Sequence, residues 1–168
     1  HQQQAHAVLM GDDAGAARDL VARPASNHIL YGFDNMFQDW TQSLKSMPVH
    51  QESYARTIFD QLLRLAEALG AIRLENPETG PWLASSESPV DDVLRAVEAR
   101  LGLEFRCPAV YPDELGLATC RGVLTYRAVH AMYQAHRLRQ LTRGRPRPRV
   151  CEIGGGLGRT ALYAGSWS

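Results

Sequence analysis

The chain of 168 residues has little lysine, little cysteine and no long apolar run. Its three cysteines are odd in number and have no Cys-x-x-Cys spacing, so the sequence indicates neither a disulfide framework nor a zinc site. No apolar stretch approaches the roughly 20 residues that cross a bilayer, and the first residues lack the charged and apolar regions of a signal peptide. We therefore expect a cytoplasmic, globular protein that does not bind membranes.

Acidic residues are missing from one long segment. Residues 1–120 carry 9 basic and 17 acidic side chains, a net charge of −8, whereas residues 121–151 carry eight arginines and no acid. Dense arginine is compatible with a nucleic-acid-binding protein that contacts phosphates. The segment contains no known nucleic-acid-binding motif, however, and this disfavours that function.

Hydrophobic periodicity predicts helices over most of the chain before residue 142. In one of them, residues 51–69, apolar side chains recur at spacings of three and four, and Gly70 ends the pattern. Another begins with Ser88 as N-cap and Pro89 as the first helical residue, runs to Leu101, and contains Asp91 and Arg95 at the spacing of an ion pair. The remaining segments are a helical hairpin at Gln4–Met10 and Asp13–Ala22, an aromatic-rich segment at Asn27–Leu44 that anchors a core or lines a pocket, and a turn-rich connection at Glu75–Trp82.

A further helix is predicted over Val123–Leu141, with an apolar stripe and a separate polar side. Arg127 and His130 lie on the polar side, and Arg121 comes just before the helix. Guanidinium groups match the oxygens of carboxylates and phosphates. The hypothesis is that Arg121, Arg127 or His130 binds an anionic group in a cleft; the alternative is a solvated polar face.

The most informative pattern is a strand, a glycine-dense turn and a helix start close to residue 168. Residues 150–153 are apolar apart from Glu152 and predict a short buried parallel strand; glycines at 154, 156 and 158 predict a turn that a ligand approaches closely, and Arg159–Ala164 predicts a helix start. A dinucleotide fingerprint would need a glycine where Arg159 stands, and a phosphate-binding loop would need a lysine after its glycines, whereas the only lysine is Lys45. Both of those sites are excluded by spacing.

What remains is Glu152-x-Gly154-x-Gly156-x-Gly158, which resembles the first motif of class I S-adenosylmethionine-dependent methyltransferases. The resemblance implies that Glu152, Gly154, Gly156 and Gly158 contact the cofactor S-adenosylmethionine and that Gly155 adds room. A narrower similarity, to bacterial sugar O-methyltransferases with a helical region before the cofactor domain, rests on this motif and on the blocks Leu30-Tyr31-Gly32-Phe33-Asp34-Asn35, Gly116-Leu117-Ala118-Thr119-Cys120-Arg121-Gly122, Tyr126-Arg127 and Ala131-Met132-Tyr133-Gln134-Ala135-His136-Arg137. It implies methyl transfer to a hydroxyl of a sugar or glycoconjugate.

The expected fold is therefore mainly α, leading into the first strand and helix start of a truncated, Rossmann-like α/β domain. The domains would be a helical region at residues 1–142, an Arg/Pro linker at 143–149 and the start of the cofactor domain at 150–168. In doubly wound folds the acid that binds the ribose lies about 20 residues beyond the glycine turn, so we expect it, and the catalytic base, after residue 168. The chain alone would then be inactive, and its strand would be disordered, packed non-natively or paired in a homo-oligomer. If the natural polypeptide ends at residue 168, a helical interaction module without catalytic activity is the alternative.

Overall fold

The computed structural model describes residues 2–22, 44–74, 89–107, 114–156 and 158–166, and these residues are mostly helical. This confirms the prediction of a mainly α chain. In chain order, the elements are α1 (Gln2–Met10), α2 (Ala14–Ala22), α3 (Pro48–Ala68), α4 (Val90–Leu101), β1 (Leu117–Thr119), β2 (Gly122–Leu124), α5 (Tyr126–Thr142) and α6 (Arg159–Gly165). Among these helices, none combines the length and the apolar character that crossing a bilayer requires.

The chain divides into two compact units, residues 1–48 with 109–115 and residues 49–108 with 116–168. In the first unit, α1 and α2 form the predicted helical hairpin. The Asp13 carboxylate accepts a hydrogen bond from the amide of Ala16 at 2.9 Å, which satisfies one of the free amides at the start of α2. The predicted aromatic-rich segment, apart from Leu44, and the connection at residues 75–82 lie outside the described residues.

One apolar core holds the second unit together. It joins the buried faces of α3, α4 and α5 to the β-hairpin and to α6, and its fully buried members include Ile58, Leu62, Val93, Leu94, Val97, Leu124 and Met132. The predicted helix at 51–69 is confirmed, and it begins three residues earlier because Pro48 suits a first helical turn, where no amide partner is needed. Arg100 of α4 donates from Nε to the carbonyl of Leu69 at 2.7 Å, which ties α4 to the end of α3.

Helix α4 matches the sequence prediction at its end but differs at its start. Gly102 stops the helix with φ of 64°, as predicted, whereas Pro89 is the N-cap rather than the first helical residue. The predicted pair between Asp91 and Arg95 is wrong. Arg95 instead contacts Asp92 at 2.6 Å, and the Asp91 carboxylate accepts a hydrogen bond from the Cys120 amide at 2.9 Å.

The prediction that a helix begins at Val123 is also wrong. Residues 122–124 form strand β2, which pairs antiparallel with β1 so that Leu117 lies opposite Leu124. Gly122 has φ of 105°, a value that glycine adopts without strain, and its carbonyl accepts a hydrogen bond from the Thr119 hydroxyl at 2.7 Å. Helix α5 begins only after Thr125, whose side chain accepts from the amide of Ala128 at 3.3 Å.

Residues 143–149 form neither helix nor strand, as the prolines predict. The predicted strand at 150–153 is not formed, because no strand within the described ranges pairs with it. Val150 is 54% exposed and Ile153 is 97% exposed, so the prediction of a buried strand is wrong for this structure. The helix after the turn is confirmed as α6. A Rossmann-like domain therefore stays a prediction.

Candidate functional site

The glycine turn between residue 153 and α6 has an unusual backbone. Gly154, Gly156 and Gly158 have φ of 74°, 54° and 71°, all in the left-handed region. A Cβ atom at any of the three positions would meet nothing within 4 Å. These glycines are therefore required by the conformation of the backbone, and the space beside each of them is open to a ligand.

Glu152 folds back over the same turn. A Cβ atom at Gly155 would lie 3.0 Å from a carboxylate oxygen of Glu152, closer than such atoms normally approach. Gly155 thus leaves room for the carboxylate of Glu152. The amide of Gly158 donates to the carbonyl of Gly155 at 2.8 Å, and α6 begins there.

A cleft of about 550 Å³ lies next to the turn, between α5, residues 148–152 and α6. We call it the α5–α6 cleft. Its wall is mainly apolar, with Glu152, Arg139 and two threonine hydroxyls as the polar groups; it is lined by Ala135, Leu138, Arg139, Thr142, Pro148, Val150, Glu152, Thr160, Ala161 and Ala164. This volume falls within the range of roughly 300–1,000 Å³ that is usual for small-molecule sites.

Helix α6 is held in place by two polar contacts and one aromatic contact. Thr160 donates from its hydroxyl to the side-chain carbonyl of Gln134 on α5 at 2.8 Å. Tyr163 donates from its hydroxyl to the carbonyl of Arg106 at 2.7 Å, and its ring meets Phe105 edge to face with centroids 6.3 Å apart. Burial raises the pKa of the Tyr163 hydroxyl, so this side chain stays protonated as a donor. The position of the glycine turn is therefore fixed by the core of the helical unit.

Arg121, one of the predicted anion-binding residues, lies in the turn of the β-hairpin and contacts two carboxylates. Its Nε is 3.0 Å from Glu98, and its terminal nitrogen is 2.6 Å from Glu104. The side chain of Glu98 is only 10% exposed and also accepts from the amide of Phe105 at 2.8 Å. The hydrogen bond to Glu98 is the main cause that raises the pKa of Arg121. This network joins the hairpin to α4.

Arg127 and His130, the other two predicted anion-binding residues, lie on the first turns of α5. The guanidinium carbon of Arg127 is 5.6 Å from the centre of the Tyr126 ring, and the His130 ring meets the same tyrosine edge to face at 5.8 Å. Neither residue lines the α5–α6 cleft, and Arg121 does not line it either. The structure therefore does not bring these three side chains to the cleft beside the glycine turn.

The sequence analysis did not predict that the second half of α5 lines the α5–α6 cleft. Leu138, Arg139 and Thr142 line the cleft at helical spacing, and Pro148 supplies the opposite side from the linker. The sequence did contain a signal for this surface, because Leu138 and Leu141 continue the apolar stripe of α5 past the residues that the core buries. Ala135 is fully buried, whereas Leu141 is 64% exposed. Within the described ranges, no group of three or more metal-ligating side chains lies together.

Compared with known proteins, the sequence matches no family model. No curated protein is significantly similar to it in sequence, and no solved structure is significantly similar to its fold. The site must therefore be interpreted from its own geometry.

Proposed function

We propose that the chain is part of an S-adenosylmethionine-dependent methyltransferase and that its glycine turn forms the first part of the cofactor site. The observation that carries the proposal is the turn itself: three left-handed glycines at alternate positions, each with open space beside it, and the Glu152 carboxylate close to Gly155. The bound cofactor would supply an electrophilic methyl group.

The residues present suit such a ligand chemically. Glu152 is an acceptor for hydroxyl or ammonium donors, and S-adenosylmethionine carries both kinds of group. Backbone without side chains at Gly154 and Gly156 permits close approach of a ligand. The cofactor contacts assigned to this chain are accordingly Glu152, Gly154, Gly155, Gly156 and Gly158, with Gly155 acting by making room for Glu152.

The acceptor proposed for the complete enzyme is a sugar hydroxyl, as the resemblance implies. Its methylation requires the hydroxyl to be aligned with the methyl group and to lose a proton. No described residue is assigned as the base, and residues 150–153 require a neighbouring strand from the rest of the cofactor domain. We therefore expect negligible methyl transfer by residues 1–168 alone, although the turn can still bind the cofactor.

The test is a titration of the isotopically labelled chain with S-adenosylmethionine, followed by NMR of backbone amides. A dissociation constant of about 1 mM, equal to about −4.1 kcal/mol, is sufficient for detection. The expected result is a set of shifts confined to residues 152–160. An absence of shifts, or shifts confined to another part of the chain, would contradict the proposal.

Two variants with one control separate cofactor binding from folding. Glu152→Gln should weaken binding about tenfold, because it replaces a charge-assisted hydrogen bond with a neutral one. Gly156→Val should abolish binding, since a β-branched residue does not adopt φ of 54° without strain. Gly165→Ala is the control: its Cβ meets nothing within 4 Å, and binding should be unchanged.

A further inference from the structure

The linker before the glycine turn carries four exposed arginines. They are Arg143, Arg145, Arg147 and Arg149, and within the described ranges none of them is paired with a carboxylate. This contrasts with Arg121, which contacts Glu98 and Glu104. In the described part of the chain, no ion pair therefore occupies these four guanidinium groups.

The linker also forms one side of the α5–α6 cleft. Pro148 and Val150 both line the cleft, and Arg149 lies between them in sequence. Arg147 has φ of 53°, which is rare for a residue other than glycine and bends the linker between its two prolines. On the opposite side, Arg139 lines the cleft from α5. Arg139 donates to the carbonyl of Leu101 at 3.0 Å, and none of the four linker arginines is itself a lining residue. The linker arginines adjoin the cleft through their sequence neighbours Thr142, Pro148 and Val150, which do line it.

The charge of this region favours an anion with more than one charged group. The linker carries four arginines, whereas Glu152 is the single carboxylate among the residues that line the cleft. A guanidinium group binds phosphate oxygens through two parallel hydrogen bonds. A diphosphate has more oxygen atoms than a single phosphate and can therefore bind more guanidinium groups at once. A concave cleft of about 550 Å³ fits a small molecule rather than a long polymer.

We propose that the linker arginines bind the diphosphate of a small molecule whose remaining part enters the α5–α6 cleft. This inference rests on the proposed function: the part of the molecule that enters the cleft is the sugar of the methyl acceptor. The substrate class is therefore a sugar carried on a diphosphate. The hydroxyls of Thr142 and Thr160 provide acceptors for sugar hydroxyls in the cleft. The diphosphate then fixes the sugar beside the glycine turn.

The test is calorimetric titration of the whole chain at low salt with pyrophosphate, uridine diphosphate glucose and glucose. Both diphosphates should bind, the nucleotide sugar more tightly, and glucose should not. The double variant Arg145→Gln and Arg149→Gln should weaken both diphosphates at least about tenfold. Their affinity should also fall as salt is added, because the contacts are ionic. The matched control Arg56→Gln and Arg73→Gln removes two exposed arginines from another part of the unit and should change neither affinity beyond about twofold.

Three results would overturn the inference: no binding of either diphosphate, equal weakening by the linker and control variants, or pyrophosphate binding at least as tightly as the nucleotide sugar. Tighter binding of a single-stranded RNA of about 20 nucleotides than of the nucleotide sugar would also overturn it, in favour of a nucleic-acid surface. Titration of the same samples with S-adenosylmethionine separates the two proposals. Diphosphate binding without cofactor binding refutes the methyltransferase, whereas the reverse refutes only the diphosphate site.

Discussion

Replacing Tyr163 with phenylalanine removes one oxygen atom from a side chain that is only 2% exposed. In the structure this oxygen donates to the carbonyl of Arg106 at 2.7 Å, and nothing else about the ring changes. A buried hydrogen bond contributes about 0.5–1.5 kcal/mol net, and a carbonyl left unpaired costs about 1–3 kcal/mol. Because this hydrogen bond is only partly buried, we expect a loss near the lower end, about 1–1.5 kcal/mol.

The loss is measured by urea unfolding of the wild-type and variant chains. For a chain of this size, each 1 kcal/mol lowers Tm by about 2–4 °C, so melting provides a second readout. Tyr163→Leu should cost more, since it also removes the edge-to-face contact with Phe105, which adds about 0.5–1.5 kcal/mol. Tyr133→Phe is the matched control, because the same atom is removed from a tyrosine that is 47% exposed on α5. If Tyr163→Phe is as stable as Tyr133→Phe, α6 is not anchored as described.

Three further predictions concern the same unit. Gly116→Ala should destabilise the chain by about 1–3 kcal/mol, since the new Cβ would collide with the carbonyl oxygen of Leu124. Gly165→Ala is the control, because its new Cβ meets nothing within 4 Å and should leave stability unchanged. Urea unfolding of the two variants measures the difference. Thr125→Ala should cost about 1 kcal/mol of unfolding free energy by removing the N-cap of α5, whereas Thr125→Ser should retain most of it. The pKa of His136 is lowered, first by burial and then by neighbouring arginines, so the unfolded chain takes up a proton more readily, and stability should decrease as pH falls below about 6.5. Unfolding at several pH values should show a smaller decrease for His136→Gln, and an identical decrease would contradict this assignment.

The sequence predicted the helices well because their signals are local. Apolar spacing and terminal glycines placed α3 and α4 within a few residues, and the same signals located α6. The β-hairpin was missed because its two-residue turn, Cys120-Arg121, has none of the usual Asn-Gly or Asp-Gly signals, and because Val123 and Leu124 fit a helix and a strand equally well. The pairing of Leu117 with Leu124 across the hairpin decides between them, and hydrophobic periodicity within one segment does not reveal this pairing.

The candidate site was predicted in part. The need for glycine at positions 154, 156 and 158 followed from spacing and is met by the backbone conformation. The α5–α6 cleft was not predicted, because it depends on how α6 packs against α5 through Thr160 and Tyr163. The buried strand was not formed because a strand needs a partner, and residues 150–153 are exposed and pair with no strand in the described part of the chain.

The anchoring of α6 in the core makes the glycine turn part of one cooperative unit with α3, α4 and α5. Unfolding of α6 requires Tyr163 to leave that core, so hydrogen-bonded amides of α6 such as that of Leu162 should exchange with solvent at rates close to those of the central helices. A ligand held by the turn therefore stabilises the whole unit, by about 2.7 kcal/mol at a concentration one hundred times its dissociation constant. Occupancy of the site would thus be communicated to helices that never touch the ligand, through their shared folding equilibrium.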